Sequence, residues 1–126
     1  MRKYIAVVEG ITLEKGRIES YLSENKEHIV YSSKSGKLAI TDYERIKYNN
    51  NYSMLNVYLS TGRKNQIRVH MKDMGHPVVG DAKYGNKNSK SSRLMLHSEY
   101  IEFINPINNK IIKISCPYPI EFDSIF

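Results

Sequence analysis

Apolar residues in this chain come mostly in short runs or in alternation with polar ones, which is the spacing of strands rather than of helices. Residues 4–8, Tyr-Ile-Ala-Val-Val, form a continuous run of β-formers closed by Gly10. That pattern predicts a strand covered on both faces and placed inside a sheet. Residues 36–46 start from a turn signal at Gly36, and residues 52–59 carry Met54, Leu55, Val57 and Leu59. With Asn49-Asn50-Asn51 between them, the two segments predict a hairpin. Further strands are expected at 29–32, 100–104 and 110–116. The last two are joined by the turn-forming Asn105-Pro106-Ile107-Asn108-Asn109 as a second hairpin. Residues 65–75 read differently, because Ile67, Met71 and Met74 recur at helical spacing, with Asn65 as N-cap and Gly75 as stop. The expected class is therefore α+β, a mainly antiparallel mixed β-sheet with a few short helices.

The 126 residues suffice for one domain with a single core. No repeat or Pro/Gly/Ser-rich linker divides them. The polar patches 49–51 and 86–92 read as exposed loops. Ten tyrosines argue against disorder. The balance of 19 Lys and Arg against 13 Asp and Glu gives a net charge of +6, which favours a polyanionic partner such as nucleic acid. Cys116 is the sole cysteine and cannot form an internal disulfide, so a reducing cytoplasm is the expected compartment. No stretch is long and apolar enough for a signal peptide or a membrane span, and no membrane partner is expected.

The segment Thr61-Gly62-Arg63-Lys64-Asn65-Gln66-Ile67-Arg68-Val69-His70 follows a strand and opens the expected helix. Free backbone N–H groups and the positive end of the helix dipole then lie beside Arg63, Lys64 and Arg68, which attracts an anion. Arg68 and Lys72 are four apart and share a face distinct from the Ile67-Met71-Met74 stripe. A solvated basic face over an ordinary core stripe accounts for the same spacing, and periodicity does not choose between the two. His70, His76 and His97 with Cys116 do not have the spacing of a metal site, and no metal is expected.

Thr61-Gly62-Arg63, Gln66-Ile67-Arg68-Val69-His70, Gly75-His76-Pro77, Gly80-Asp81 and Tyr84-Gly85 occur in an order and spacing that resembles the RluA family of RNA pseudouridine synthases. Residues 3–10 look like the family's second motif strand, and residues 36–43 resemble its central hairpin. Residues 94–97, 103–106 and 117–119 are similar to its closing region. The resemblance covers residues 3–122 and is weakest over 25–35. It implies isomerisation of uridine in ribosomal or transfer RNA without a cofactor, on a nucleotide flipped from its stack. In that family an aspartate does the covalent or electrostatic work, a tyrosine beside the base assists removal of the C5 proton, and an arginine pairs with the aspartate. On matching positions the tyrosine is Tyr4 and the arginine is Arg68. Arg63, Lys64, Gln66 and Lys72 are the candidate RNA contacts. Without the resemblance, Tyr4 reads as a core aromatic and Arg68 as a surface helix arginine.

The family's aspartate belongs to a His-Arg-Leu-Asp motif upstream of the Lys-x-Tyr strand, and these 126 residues contain no such motif. Asp42, Asp73, Asp81 and Asp123 do not stand in a matching context, and Asp81 reads as a loop cap. The expectation is a C-terminal part of the catalytic domain that binds structured RNA, is inactive alone, and exposes an open sheet edge through which it self-associates. Without the aspartate, Arg68 is expected to be solvated, paired with another acid, or holding an ion. The alternative is a non-catalytic RNA-binding module or one half of a split enzyme. A β-rich protein-interaction domain is the third reading.

Overall fold

The computed structural model describes residues 1–87 and 93–126. Residues 88–92, most of the second polar patch, lie outside them. The elements are β1 Arg2–Glu9, β2 Lys15–Glu24, β3 Val30–Ser33, β4 Lys37–Tyr48, β5 Tyr52–Leu59, α1 Gln66–Asp73, β6 Leu96–Ile104, β7 Ile111–Ser115 and α2 Glu121–Ser124. The strands form one sheet in the order β3-β2-β4-β5-β1-β6-β7. Each of its pairings is antiparallel, so the expected mixed sheet narrows to an antiparallel one among the described residues.

β1 is hydrogen-bonded on both sides, to β5 and to β6. Its continuous apolar run serves two faces. Ala6 and Val8 pack with Leu55, Val57, Ile67 and Met71 on the side covered by α1. Ile5 and Val7 pack with Met54, Val79 and Phe122 on the other. All four strand residues are almost fully buried, and complete burial of an Ile or Val side chain stabilises by about 1.5–3 kcal/mol. The β4–β5 turn is closed by Asn49, whose Oδ1 accepts from the backbone N–H groups of Asn51 (2.9 Å) and Tyr52 (2.8 Å). Asn105 does the same for Ile107 at the start of the β6–β7 turn (2.9 Å).

β2 was not among the expected strands, and the reason lies in one residue. Its inward positions on the α1 side include Ile18, Ser20 and Leu22, as their pairing with Thr41, Ala39 and Lys37 shows. Ser20 interrupts the apolar alternation because it is a partner of the buried His70, 2.8 Å from its Nε2. α2 also escaped the pattern: it is a single turn whose buried contribution is Phe122.

α1 ends as expected. Gly75 adopts φ +82 and closes the helix, its N–H donating to the Lys72 carbonyl (2.9 Å). The start differs. Asn65 sits in the left-handed region at φ 56, and its side chain makes no capping bond, whereas a side-chain N-cap needs an extended backbone to reach back over the helix end. Asn tolerates that conformation better than most residues, and its amide is turned to the site instead.

Candidate functional site

Tyr4 on β1 and Arg68 on α1 line one cavity of about 190 Å³, together with Leu59, Leu96 and Arg63. The topology explains the meeting. α1 lies across the sheet face that carries Tyr4, Ala6 and Val8, and the loop 60–65 brings Arg63 to the mouth. The Tyr4 hydroxyl takes no hydrogen-bond partner among the described residues. The wall is apolar at Leu59, Ile67 and Leu96, and cationic at Arg63 and Arg68. Such a lining sets cations beside an apolar wall, where electrostatic contacts are stronger than in open water.

Arg68 is held rather than free. Its Nε donates to Asp81 Oδ2 (2.9 Å) and its Nη2 to Asp81 Oδ1 (2.8 Å), a bidentate pair. Asp81 is fully buried, while the Arg68 side chain keeps about a fifth of its exposure. Asp81 also caps the following turn, because Oδ1 accepts from the backbone N–H groups of Lys83 (3.1 Å) and Tyr84 (3.0 Å). Burial alone would push the Asp81 carboxyl up. The bonds from Arg68 and from those backbone groups outweigh it and hold the group below its ordinary value. The same contact to Asp81 raises the Arg68 guanidinium. Its remaining nitrogen, Nη1, has only a 3.4 Å contact to Asn65 Oδ1, so one edge of the fork stays available to an incoming acceptor.

Tyr84 completes the support. Its ring lies under the Arg68 guanidinium, 5.1 Å from centroid to Cζ, and its hydroxyl accepts from Val30 N–H (3.0 Å) and Asn65 Nδ2 (3.2 Å). Burial works against ionisation of this phenol, but those donors together with the nearby Lys83 ammonium bring it below its ordinary value. Gly80, ahead of Asp81, has φ +83, and a Cβ there would collide with the Arg93 carbonyl. Glycine is therefore required to deliver Asp81. Sequence reasoning read Asp81 as a loop cap and assigned Tyr84 no task. The Gly80-Asp81 and Tyr84-Gly85 pieces of the motif series were the available signal.

Gln66 is placed otherwise than an RNA contact requires. It is buried, its Oε1 accepts from Thr61 Oγ1 (2.8 Å) and Arg63 N–H (3.0 Å), and its Nε2 donates to the Ile40 carbonyl (2.9 Å) and Thr41 Oγ1 (2.9 Å). With donors and acceptor engaged, it orders the loop that presents Arg63. Behind it, His70 is fully buried between Thr41 Oγ1 (2.7 Å from Nδ1) and Ser20 Oγ (2.8 Å from Nε2). Desolvation pulls this imidazole below the ordinary histidine value, against a smaller opposing effect of Asp73. Lys64 is exposed and paired with Glu24 at 2.7 Å. Lys72 is exposed one turn along α1 and lines neither this cavity nor its neighbour. Among the described residues there is no His, Cys, Asp and Glu group that could hold a metal ion. No described helix is long and apolar enough to cross a membrane.

Comparison with known proteins places the chain. The family profile described as RNA pseudouridylate synthase matches residues 1–73. An uncharacterized RNA pseudouridine synthase of Helicobacter pylori is 38% identical over 105 residues, covering 82% of this chain and 43% of that protein. Ribosomal large subunit pseudouridine synthase C of Buchnera aphidicola is 35% identical, covering 98% of this chain and 43% of that protein. The solved structure titled human RNA pseudouridylate synthase domain containing 1 superposes with a TM-score of 0.82 at 26% identity, over 94% of this chain and 55% of that one. The chain belongs to the RNA pseudouridine synthase family, as its motif series indicates. It spans about 43% of the length of these curated relatives.

Proposed function

We propose that this chain supplies the RNA-holding and base-lining part of a pseudouridine synthase centre, with Tyr4 and Arg68 at the uracil ring of a flipped uridine in ribosomal or transfer RNA. One observation carries the reading: in a chain of this family, Tyr4 and Arg68 line the same cavity of about 190 Å³, and Arg68 keeps its Nη1 with no contact closer than 3.4 Å. Tyr4 stands beside C5 and assists loss of its proton. Arg68, braced by Asp81, offers Nη1 to the carboxylate that attacks or stabilises the ribose-derived centre. That carboxylate is not contributed here. Asp81 is fully buried, and both its oxygens already accept from Arg68. The chain alone therefore binds RNA and does not isomerise uridine.

Arg63, Lys64 and Lys72 contact the RNA backbone, and Gln66 serves by fixing the Arg63 loop. No cofactor is needed for the isomerisation, and the cytoplasm is its compartment. The test is twofold. Binding of a structured RNA weakens steeply with rising salt, and the double variant Arg63→Glu, Lys64→Glu lowers affinity and flattens the salt slope. Pseudouridine formation by the purified chain above a protein-free control would overturn the inactivity.

A second reading, one half of a split enzyme, is favoured by a specific feature. Among the described residues β7 has no neighbour on its outer edge, and the register puts Ile101, Phe103, Ile112 and Ile114 on one face. That face is the one carrying Arg2 and Tyr4. The same edge is the place for self-association. Light scattering of the pure chain separates an associating edge from a monomer.

A further inference from the structure

A larger concavity adjoins the candidate site. It encloses about 560 Å³ between the end of β2, the start of β4 and the 62–64 loop. Arg63 lines both cavities, so they meet at its side chain. Sites for whole small molecules fall between about 300 and 1,000 Å³. The larger cavity is thus of nucleoside size, whereas the smaller suits a single ring.

Its chemistry is asymmetric. Leu22 and Val30, both almost completely buried, give an apolar floor, and Lys37, Arg63 and Lys64 bring three cations. Arg63 spends only Nε on protein, donating to the Leu38 carbonyl at 2.9 Å. Among the described residues its two Nη groups take no acceptor. Among the described residues Glu24 is the one carboxylate in the lining. Its Oε2 accepts from Lys64 (2.7 Å) and lies 3.4 Å from His28 Nδ1, all exposed side chains, and such surface pairs rearrange at little cost. A phosphate therefore prefers the unengaged Nη groups of Arg63, while Glu24, which holds Lys64, repels it and asks for a hydrogen-bond donor.

We propose that this cavity is a second nucleotide subsite. It takes the nucleotide next to the target uridine, with the linking phosphate on Arg63, the base over Leu22 and Val30, and its N–H edge on Glu24, which gives up its exposed partners to meet it. The inference rests on the RNA reading above. A carboxylate only accepts, and guanine alone presents two adjacent donors, N1–H and the 2-amino group, so the subsite selects guanine.

The experiment measures binding of the full chain to short single-stranded RNAs, identical except that guanine, adenine, cytosine or uracil flanks a single uridine, tested on each side. Guanine on one side binds about 5-fold or more tighter than the others, the size expected of a bidentate base contact. Glu24→Gln, which presents one donor and one acceptor, removes that preference and shifts it toward adenine. Circular dichroism confirms that this exposed change leaves the fold in place. RNA binding that ignores the flanking base, or a guanine preference that survives Glu24→Gln, overturns the subsite while leaving the RNA reading standing. Absence of binding to every RNA overturns both.

Discussion

The sheet face that carries Tyr4 is treated in two opposite ways along its width. Under α1, polar groups are buried and matched: Gln66, Thr41, His70 and Ser20 form a connected hydrogen-bonded series, and Arg68 and Asp81 a bidentate pair. On the β6–β7 hairpin, apolar groups are exposed and unmatched, with Phe103 at 43% and Ile114 at 51% of full exposure. Buried polar networks fix one arrangement, because each unsatisfied member is costly. An exposed apolar strand at an open edge fixes nothing within its own chain and is a surface for another. The α1 side thus holds a geometry through matched polar groups, and the hairpin side leaves apolar groups exposed.

If that contrast is real, perturbations of equal size must have unequal effects. The largest belongs to Asp81→Ala, which leaves Arg68 partly buried without its partner and two backbone N–H groups without their acceptor. Chemical denaturation should register a loss of about 3–5 kcal/mol. A loss below 1 kcal/mol would mean that the pair does not order the site. Next comes Ser20→Ala, which strips His70 Nε2 of its partner in the interior and should cost about 1–3 kcal/mol by the same measurement.

The pH dependence follows from His70. Its folded-state value lies below the ordinary 6.5, so the folded chain resists a proton that the unfolded chain accepts. Its contribution to stability is complete above pH 6.5 and is lost as the pH falls below that value. The slope approaches about 1.4 kcal/mol per pH unit where only the unfolded state is protonated. His70→Gln should flatten this acid limb, and an unchanged limb would place its origin elsewhere. The smallest effect is expected on the hairpin. Phe103→Ser with Ile114→Ser should change stability by about 0.5 kcal/mol or less per site while lowering any concentration-dependent association in light scattering. A large loss of stability would show that this face is part of the core.

How much of this was legible in the sequence differs between the same two regions. The buried run of β1 and both hairpin turns were readable, because their periodicity and their Asn residues act locally. β2 was not, since Ser20 stands where alternation calls for an apolar residue and its reason is a histidine fifty positions away. The motif series singled out Tyr4 and Arg68, which line one cavity, whereas periodicity alone left both as ordinary residues. Asp81 as the brace of Arg68 was signalled only by its place in the motif series, because bridging thirteen positions depends on the positive φ of Gly80. Gln66 was drawn toward the ligand by its place in the motif. Burial, which a single sequence does not display, turned it inward.

The most direct measurement is a photo-crosslink from the base itself. A short RNA carrying 4-thiouridine at the target position is irradiated with the chain, and the attached peptides are identified by mass spectrometry. Attachment within the cavity wall, at Tyr4, Leu59, Leu96 or the Arg63–Arg68 segment, is the predicted result. Attachment confined to surfaces away from that wall, with Tyr4 and Arg68 untouched, would contradict the account.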